Sequence, residues 1–295
     1  MTEARKGVLA IVAASVTWGL SSLYYKALAE VPPLEMLSHR TAWSAVFFAL
    51  VLLAQGRAGE VRALAARPRE WRVLAVSAVL IAINWLVFIH AVQVGHALQA
   101  SLGYYVFPLL AAVLGYFAFG ERLNRVQMLA FGLAAFAVVL LAVGLGALPW
   151  TALTLAASFG GYGIIKRQVP LGPVVSVFVE TALLAPLALV FLWGAHAGAW
   201  ADTDGRYGGV FGRDLATSLL LLFAGPLTGV PLVLFSYAAR RLPYATVGLI
   251  QYLNPTVQFG IAVLVFGEAF TIWHAVAFPL IWAGLALYSW DGWRR

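Results

Sequence analysis

Apolar residues run along this chain in blocks about twenty residues long, separated by short groups of charge, glycine or proline. A helix rises about 1.5 Å per residue, so roughly 20 residues cross a hydrocarbon core of about 30 Å. Blocks of that length predict ten membrane-spanning helices, at approximately 8–28, 36–54, 73–92, 98–119, 126–145, 149–165, 173–195, 215–238, 244–266 and 271–290. The largest gaps, Gln55 to Arg72 and His196 to Asp214, leave no soluble domain between them. Arg5, Lys6, the apolar run from Val8 and the small residues Ala27-Leu28-Ala29 imitate a cleavable leader. The run is long enough to span, however, and the first block has a counterpart later in the chain, so it is expected to stay.

Lys and Arg in short loops set orientation. With the N-terminus in the cytoplasm, fifteen of the 19 basic residues fall on the inner side, among them Arg57, Arg72, Arg122, Lys166, Arg167, Arg240 and Arg241. Arg206 and Arg213 fall outside, and Lys26 and Arg40 lie within or beside spans. The alternation predicts an even number of helices and two cytoplasmic termini.

A shift of 147 residues lays Leu102, Tyr105, Pro108, Phe119, Gly120 and Glu121 onto Leu249, Tyr252, Pro255, Phe266, Gly267 and Glu268. A weaker echo joins Ala13-Ala14-Ser15 before Trp18-Gly19 to Ala156-Ala157-Ser158 before Tyr162-Gly163. Five spans separate the copies, so equivalent helices face opposite ways. The expected fold is therefore an all-α integral membrane protein of ten transmembrane helices in two inverted five-helix repeats, 8–145 and 149–290, with both termini cytoplasmic. An inverted repeat lets one half take up the conformation the other leaves, around a site near the midplane.

Composition agrees: 62% of residues are hydrophobic and 11% charged, against about half and about a quarter in soluble chains. The net charge of +7 belongs to loop clusters that orient the protein, so no nucleic-acid partner is expected. With no cysteine there is neither a disulfide framework nor a thiolate ligand or nucleophile.

Polar groups inside a span are costly and mark candidate sites. Gln251, Asn254 and Gln258 recur at i, i+3 and i+7 on one helical face, where Pro255 breaks the helix and loosens the bond to the carbonyl of Gln251. Together with Tyr252 they form a candidate solute contact, unless they serve only as interhelical hydrogen bonds. The fourth span repeats the device with Gln99, Ser101, Tyr104, Tyr105 and the helix-breaking Pro108, and paired broken helices point to a transporter's binding site. Asn84 and Trp85 in the third span, and Trp18 and Tyr162 in the first and sixth, are lining candidates or packing aromatics.

Glu180 lies about eight residues into the seventh span, which leaves open proton coupling, recognition of a substrate amine, or a structural partner. Lys26, beside His39 and Arg40 near the outer ends of the first two spans, reads as a snorkelling side chain. Arg40 reads either as an anchor or as a gate or substrate-carboxylate contact. Glu121 and Glu268 read as boundary charges, and the G-x-x-x-G of Gly225 and Gly229, with Pro226 and Pro231, as close packing in the eighth helix.

No nucleotide-binding G-x-x-x-x-G-K-[ST], H-E-x-x-H or G-x-S-x-G occurs, so neither a cofactor, a metal nor an enzyme activity is expected. The rival readings are a passive channel or lipid scramblase, a membrane-embedded enzyme, which would need acid, base or metal ligands gathered at one depth, and a structural subunit.

Stretches running in order over nearly the whole chain resemble one family: Trp18-Gly19-Leu20 with Tyr24 and Lys26; His39-Arg40 with Trp43-Ser44; Ser101-Leu102-Gly103-Tyr104-Tyr105 before Pro108; Gly120-Glu121-Arg122-Leu123; Ser158-Phe159-Gly160; Glu180-Thr181; Pro226-Leu227-Thr228; Arg240-Arg241-Leu242-Pro243; and Gln251-Tyr252 with Asn254-Pro255-Thr256. They are similar to the RarD branch of the EamA family, within the drug/metabolite transporter superfamily. At Asn254 the chain departs from the small residue that family carries before the proline. The resemblance implies a ten-helix inner-membrane carrier with a central cavity lined by both halves. Its superfamily moves amino acids, metabolites or drugs, often outward, and its branch carries chloramphenicol in its label. The expectation is a secondary transporter, an exporter by alternating access, whose partners are a small-molecule solute and the lipid bilayer, with a homodimer left open. Tyr104, Tyr105, Gln251, Tyr252 and Asn254 would contact solute, while Glu180 or Arg40 would supply charge for coupling or gating.

Overall fold

The computed structural model describes residues 2–293 apart from 65, 95–96, 121–122, 147–149, 203–204 and 268–269, and apart from the side chains of helical residues 98, 99, 102, 108, 109, 112, 245, 285, 288, 289, 292 and 293. Glu121 and Glu268 thus lie outside the described residues, as do the side chains of Gln99 and Pro108. Among the described residues the protein consists of twelve α-helices and no strand: α1 (Glu3–Ala27), α2 (Pro33–Ala54), α3 (Ala58–Leu64), α4 (Pro68–Gln93), α5 (Ala97–Phe119), α6 (Arg125–Gly144), α7 (Trp150–Gln168), α8 (Pro173–His196), α9 (Leu215–Ala239), α10 (Tyr244–Ile250), α11 (Leu253–Leu264) and α12 (Ile272–Trp293). Among them α1, α2, α4, α6, α8, α9 and the stretch Thr246–Leu264 across α10 and α11 make seven segments long and apolar enough to cross a membrane. Exposed large apolar side chains such as Leu50, Leu187 and Trp193 cover their outer faces, a surface that suits lipid and not water.

Local sequence explains where the helices start and stop. Prolines open α2, α4 and α8 in the first turn, where their missing donor costs nothing. Asn124 and Gln127 form a reciprocal capping box on α6. Asp214 caps α9 by accepting from the Thr217 amide at 2.7 Å, a bond that holds its carboxyl below the ordinary carboxylate range. Gly120 and Gly267, equivalent under the 147-residue shift, follow the ends of α5 and α11 with φ of +66° and +70°, a conformation glycine adopts without strain.

The helix break around Gln251 is present. Gln251 and Tyr252 form the turn between α10 and α11, and the Gln251 carbonyl accepts from the Asn254 amide at 3.0 Å because Pro255 has no N–H to offer. The matching break in α5 is not: that helix is continuous from Ala97 to Phe119, so Pro108 is not a helix-breaker. A single lost donor is absorbed within a helix held on both sides by neighbours.

Helix contacts come in matched pairs. α2 packs on α8, and α6 on α12; α1 meets α9 as α7 meets α4; α1 meets α11 as α7 meets α5; α2 meets α9 as α8 meets α4. Tyr105 and Tyr252, equivalent under the shift, stack on each other with ring centroids 5.8 Å apart. Small residues permit the closest approaches. A methyl on Gly225 would lie 2.5 Å from the carbonyl oxygen of Trp43, and one on Gly229 would enter the Phe48 ring. The gap from His196 to Asp214 is tied down too: Asp202 accepts from the amides of Leu34 and Glu35 at the start of α2, Glu35 accepts from those of Gly209 and Val210, and Arg206 donates to Ala29 O and Gln93 Oε1.

Because the obstacle at Gly225 is backbone, which cannot swing away, Gly225→Ala should destabilise the protein by about 1–3 kcal/mol through overpacking. Gly132, which faces open space, should accept alanine with no loss. Thermal unfolding of the two variants in detergent measures the difference.

Candidate functional site

Residues from α1, α2, α4, α5, α7 and α11 line a small cavity inside the bundle. Trp18, Ser21 and Tyr25 enter it from α1 at i, i+3 and i+7, and Asn254 and Gln258 from α11 at the i+3 and i+7 positions of the polar face. Arg40, Asn84, Trp85, Phe88, Tyr104 and Phe159 complete it. A second small space, lined in part by Ser101, Val92, Ala97 and Phe266, shares Phe88 and Gln258 with the first. It leads toward the end of the bundle where α4 stops and α5 starts.

Of the residues singled out from the sequence, Trp18, Arg40, Asn84, Tyr104, Asn254 and Gln258 meet in the first cavity and Ser101 lines the second. Asn84 is already engaged: its amide donates to Leu155 O at 2.8 Å and Ser158 Oγ at 3.1 Å, and its oxygen accepts from the Tyr104 hydroxyl at 3.2 Å. It ties α4 to α7 and aims Tyr104. The other candidates lie apart from the cavity. Gln251 accepts from Ser15 Oγ at 3.2 Å, joining α1 to the α10–α11 turn. Tyr105 and Tyr252 are buried in their own stack beside Phe278. Tyr162 stacks on Phe159 and Phe235.

Arg40 is buried, with 3% of its surface exposed. Its guanidinium carbon sits 3.8 Å above the Trp85 ring, and Nη1 donates to the Tyr25 hydroxyl. Its Nε has no hydrogen-bond partner, and neither has Asn254 Oδ1. Among the described residues no carboxylate lies within ion-pair distance of Arg40.

Glu180 belongs to a different cluster. Its Oε1 lies 2.7 Å from Lys166 Nζ and accepts from Ser77 Oγ at 2.6 Å, and its Oε2 accepts from the Tyr162 hydroxyl at 3.4 Å. Lys166 also donates to Ser176 Oγ at 2.8 Å. Both ions are almost fully enclosed, and the rings of Phe159 and Tyr162 stand between them and the cavity. Lys166 is thus not the loop charge its neighbour Arg167 suggested: it closes the last turn of α7 and points inward. Arg40 and Glu180 are each the eighth residue of a helix that opens on proline, and each precedes a threonine, Thr41 or Thr181, that donates to the carbonyl four residues back. That 140-residue correspondence was present in the sequence, masked by the 147-residue shift of the later helices. Tyr25, Phe88 and Phe159 were missed because aromatic residues on apolar helices carry no signal of which face they occupy.

A bundle of membrane-length apolar helices around a buried polar chamber defines a multi-pass membrane protein of the transporter type. The EamA-like transporter family matches the chain twice, at residues 5–143 and 148–290, and the chain belongs to that family. An uncharacterised transporter of Pseudomonas aeruginosa is 43% identical over 290 residues, covering 98% of this chain and 95% of that one. The Bacillus subtilis transporter YojE is 38% identical over 301 residues, 99% and 97% of the two chains. The protein RarD of Escherichia coli is 38% identical over 290 residues, 98% and 95% of the two, in keeping with membership of the RarD branch. A solved crystal structure shares the fold with a TM-score of 0.68 at 20% identity, over 95% of this chain and 96% of that one.

The Lys166–Glu180 pair generates a prediction of its own. Replacing either alone, as Lys166→Met or Glu180→Gln, leaves one buried group without its counter-charge and should cost about 3–5 kcal/mol, whereas the double replacement should recover much of that loss. A double-mutant cycle on unfolding in detergent reads the coupling.

Proposed function

We propose that this membrane transporter is a secondary carrier that exports small polar or amphipathic solutes, such as amino acids, metabolites or drugs, by alternating access. In this reading α5, α7 and α12 complete ten crossings, both termini are cytoplasmic, and the protein resides in the cell inner membrane. Residues 8–145 and 149–290 act as inverted halves that rock about the chamber. The observation that carries the reading is that the chamber draws its walls from both halves: Trp18, Arg40, Asn84 and Tyr104 from the first, Phe159, Asn254 and Gln258 from the second. The matched helix contacts and the stack of the equivalent residues Tyr105 and Tyr252 support it, since residues near a twofold axis touch their own counterparts.

On this proposal Tyr104 and Asn254 bind solute, Ser101 and Gln258 line its way, and Asn84 positions Tyr104. Gln251, Tyr252, Tyr105 and Tyr162 support the chamber from behind. The Lys166–Glu180 pair, with the aromatic layer above it, closes the chamber on the cytoplasmic side and parts when that side opens.

Proteoliposomes loaded with radiolabelled amino acids or amphenicols test the carrier. Saturable flux with counterflow is expected, and Asn254→Ala should raise KM about tenfold. Flux that neither saturates nor counterflows would point to a channel. Because the chain has no cysteine, single cysteines at Arg57 and Arg213 report orientation directly: a membrane-impermeant maleimide should label Arg213→Cys from outside cells, and Arg57→Cys only after permeabilisation.

A further inference from the structure

Among the described residues the chamber holds a cation and no anion. Arg40 is pinned by the face of Trp85 at 3.8 Å and by the hydroxyl of Tyr25, and an arginine stays protonated in essentially every protein environment. No carboxylate lines either cavity among the described residues. The nearest candidates are committed elsewhere: Glu35 accepts from the Gly209 and Val210 amides and faces His39, and Glu180 is held by Lys166, Ser77 and Tyr162. A buried guanidinium without a counter-ion is costly, and nothing in its own fold repays that cost fully, because Nε is left without an acceptor.

A second cation stands nearby: Lys26 Nζ lies 5.7 Å over the ring of Phe266, which lines the second cavity. Much of the wall around the guanidinium is flat and apolar, formed by Trp18, Trp85, Phe88 and Phe159, beside the polar side chains of Ser21, Asn254 and Gln258, which suits a planar apolar body carrying a polar group.

From these observations we infer that the solute is an organic monoanion, a carboxylate attached to an apolar or aromatic body. Arg40 binds the carboxylate through its free edge, and the aromatic walls hold the rest. A planar guanidinium fork matches a carboxylate in geometry as well as charge. A zwitterion's ammonium group finds no carboxylate among the described residues of this chamber, so zwitterions and cations bind more weakly than the anion of the same shape. This inference rests on the carrier reading for its transport consequence, but binding and flux separate the two.

The test is a panel of four probes with one body and four charge states: 3-phenylpropionate, 3-phenylpropanamide, phenylalanine and phenethylamine. Binding to the purified full-length protein in detergent is followed by quenching of tryptophan fluorescence, and flux is followed in proteoliposomes. Phenylpropionate should bind at least about tenfold more tightly than each of the others, as one charge-assisted hydrogen bond in a dry site requires. Arg40→Gln should abolish that preference, and Arg40→Lys should retain part of it, which separates loss of charge from loss of fold. Tighter or equal binding of any other member, no binding of phenylpropionate, or a preference that persists in Arg40→Gln would overturn the inference. Saturable flux of a neutral or zwitterionic probe alone would sink the anion and leave the carrier standing. Selective anion binding with no saturable flux would do the reverse.

Discussion

Hydrocarbon offers no hydrogen bonds, and every feature of this protein follows from that. Backbone amides and carbonyls must be satisfied within the chain, which leaves the helix as the unit of construction. Side chains that carry polar atoms must find each other or face a wet space. Ser15 finds Gln251, Asn84 finds Ser158 and the Leu155 carbonyl, and Glu180 finds Lys166. These bonds cross between helices far apart in sequence, so the pairing that removes the penalty also sets the arrangement. Two of the side chains whose pairing is incomplete, Arg40 and Asn254, line the cavity.

The two halves treat the same position in opposite ways. The eighth residue of α2 is a cation facing the chamber, while the eighth residue of α8 is an anion buried against its own partner. On the proposed reading, divergent charge at these matching positions gives one end of the chamber a ligand and the other a bolt. The aromatic layer of Phe159, Tyr162 and Phe235 keeps the two chemistries apart.

Much of this architecture was legible beforehand. Block length yielded the helix positions to within a few residues, because roughly 20 apolar residues in a row have few other uses. The Tyr-x-x-Pro shift picked out two tyrosines that turn out to touch, and Pro255 announced a real break. Pro108 announced one that is absent, since a proline's effect depends on neighbours that sequence does not display. Residue types also overstated the site. Gln251, Tyr162 and Glu180 are polar in apolar helices, and each bonds a structural partner, although the Gln251 amide nitrogen is left without one; residue type alone does not separate a satisfied polar group from an available one. Lys166 was hidden because a lysine beside an arginine at a helix end looks like every other loop charge.

The connector between α8 and α9 is a strap across the bundle. It belongs to the second half of the chain, but its hydrogen bonds reach the ends of α1, α2 and α4 in the first. Those bonds exist only while the three helix ends sit together beneath it, so the strap weights the balance between arrangements of the bundle. Substitutions along it can shift the resting state of the empty protein, and through it the apparent affinity, while leaving every wall of the chamber untouched.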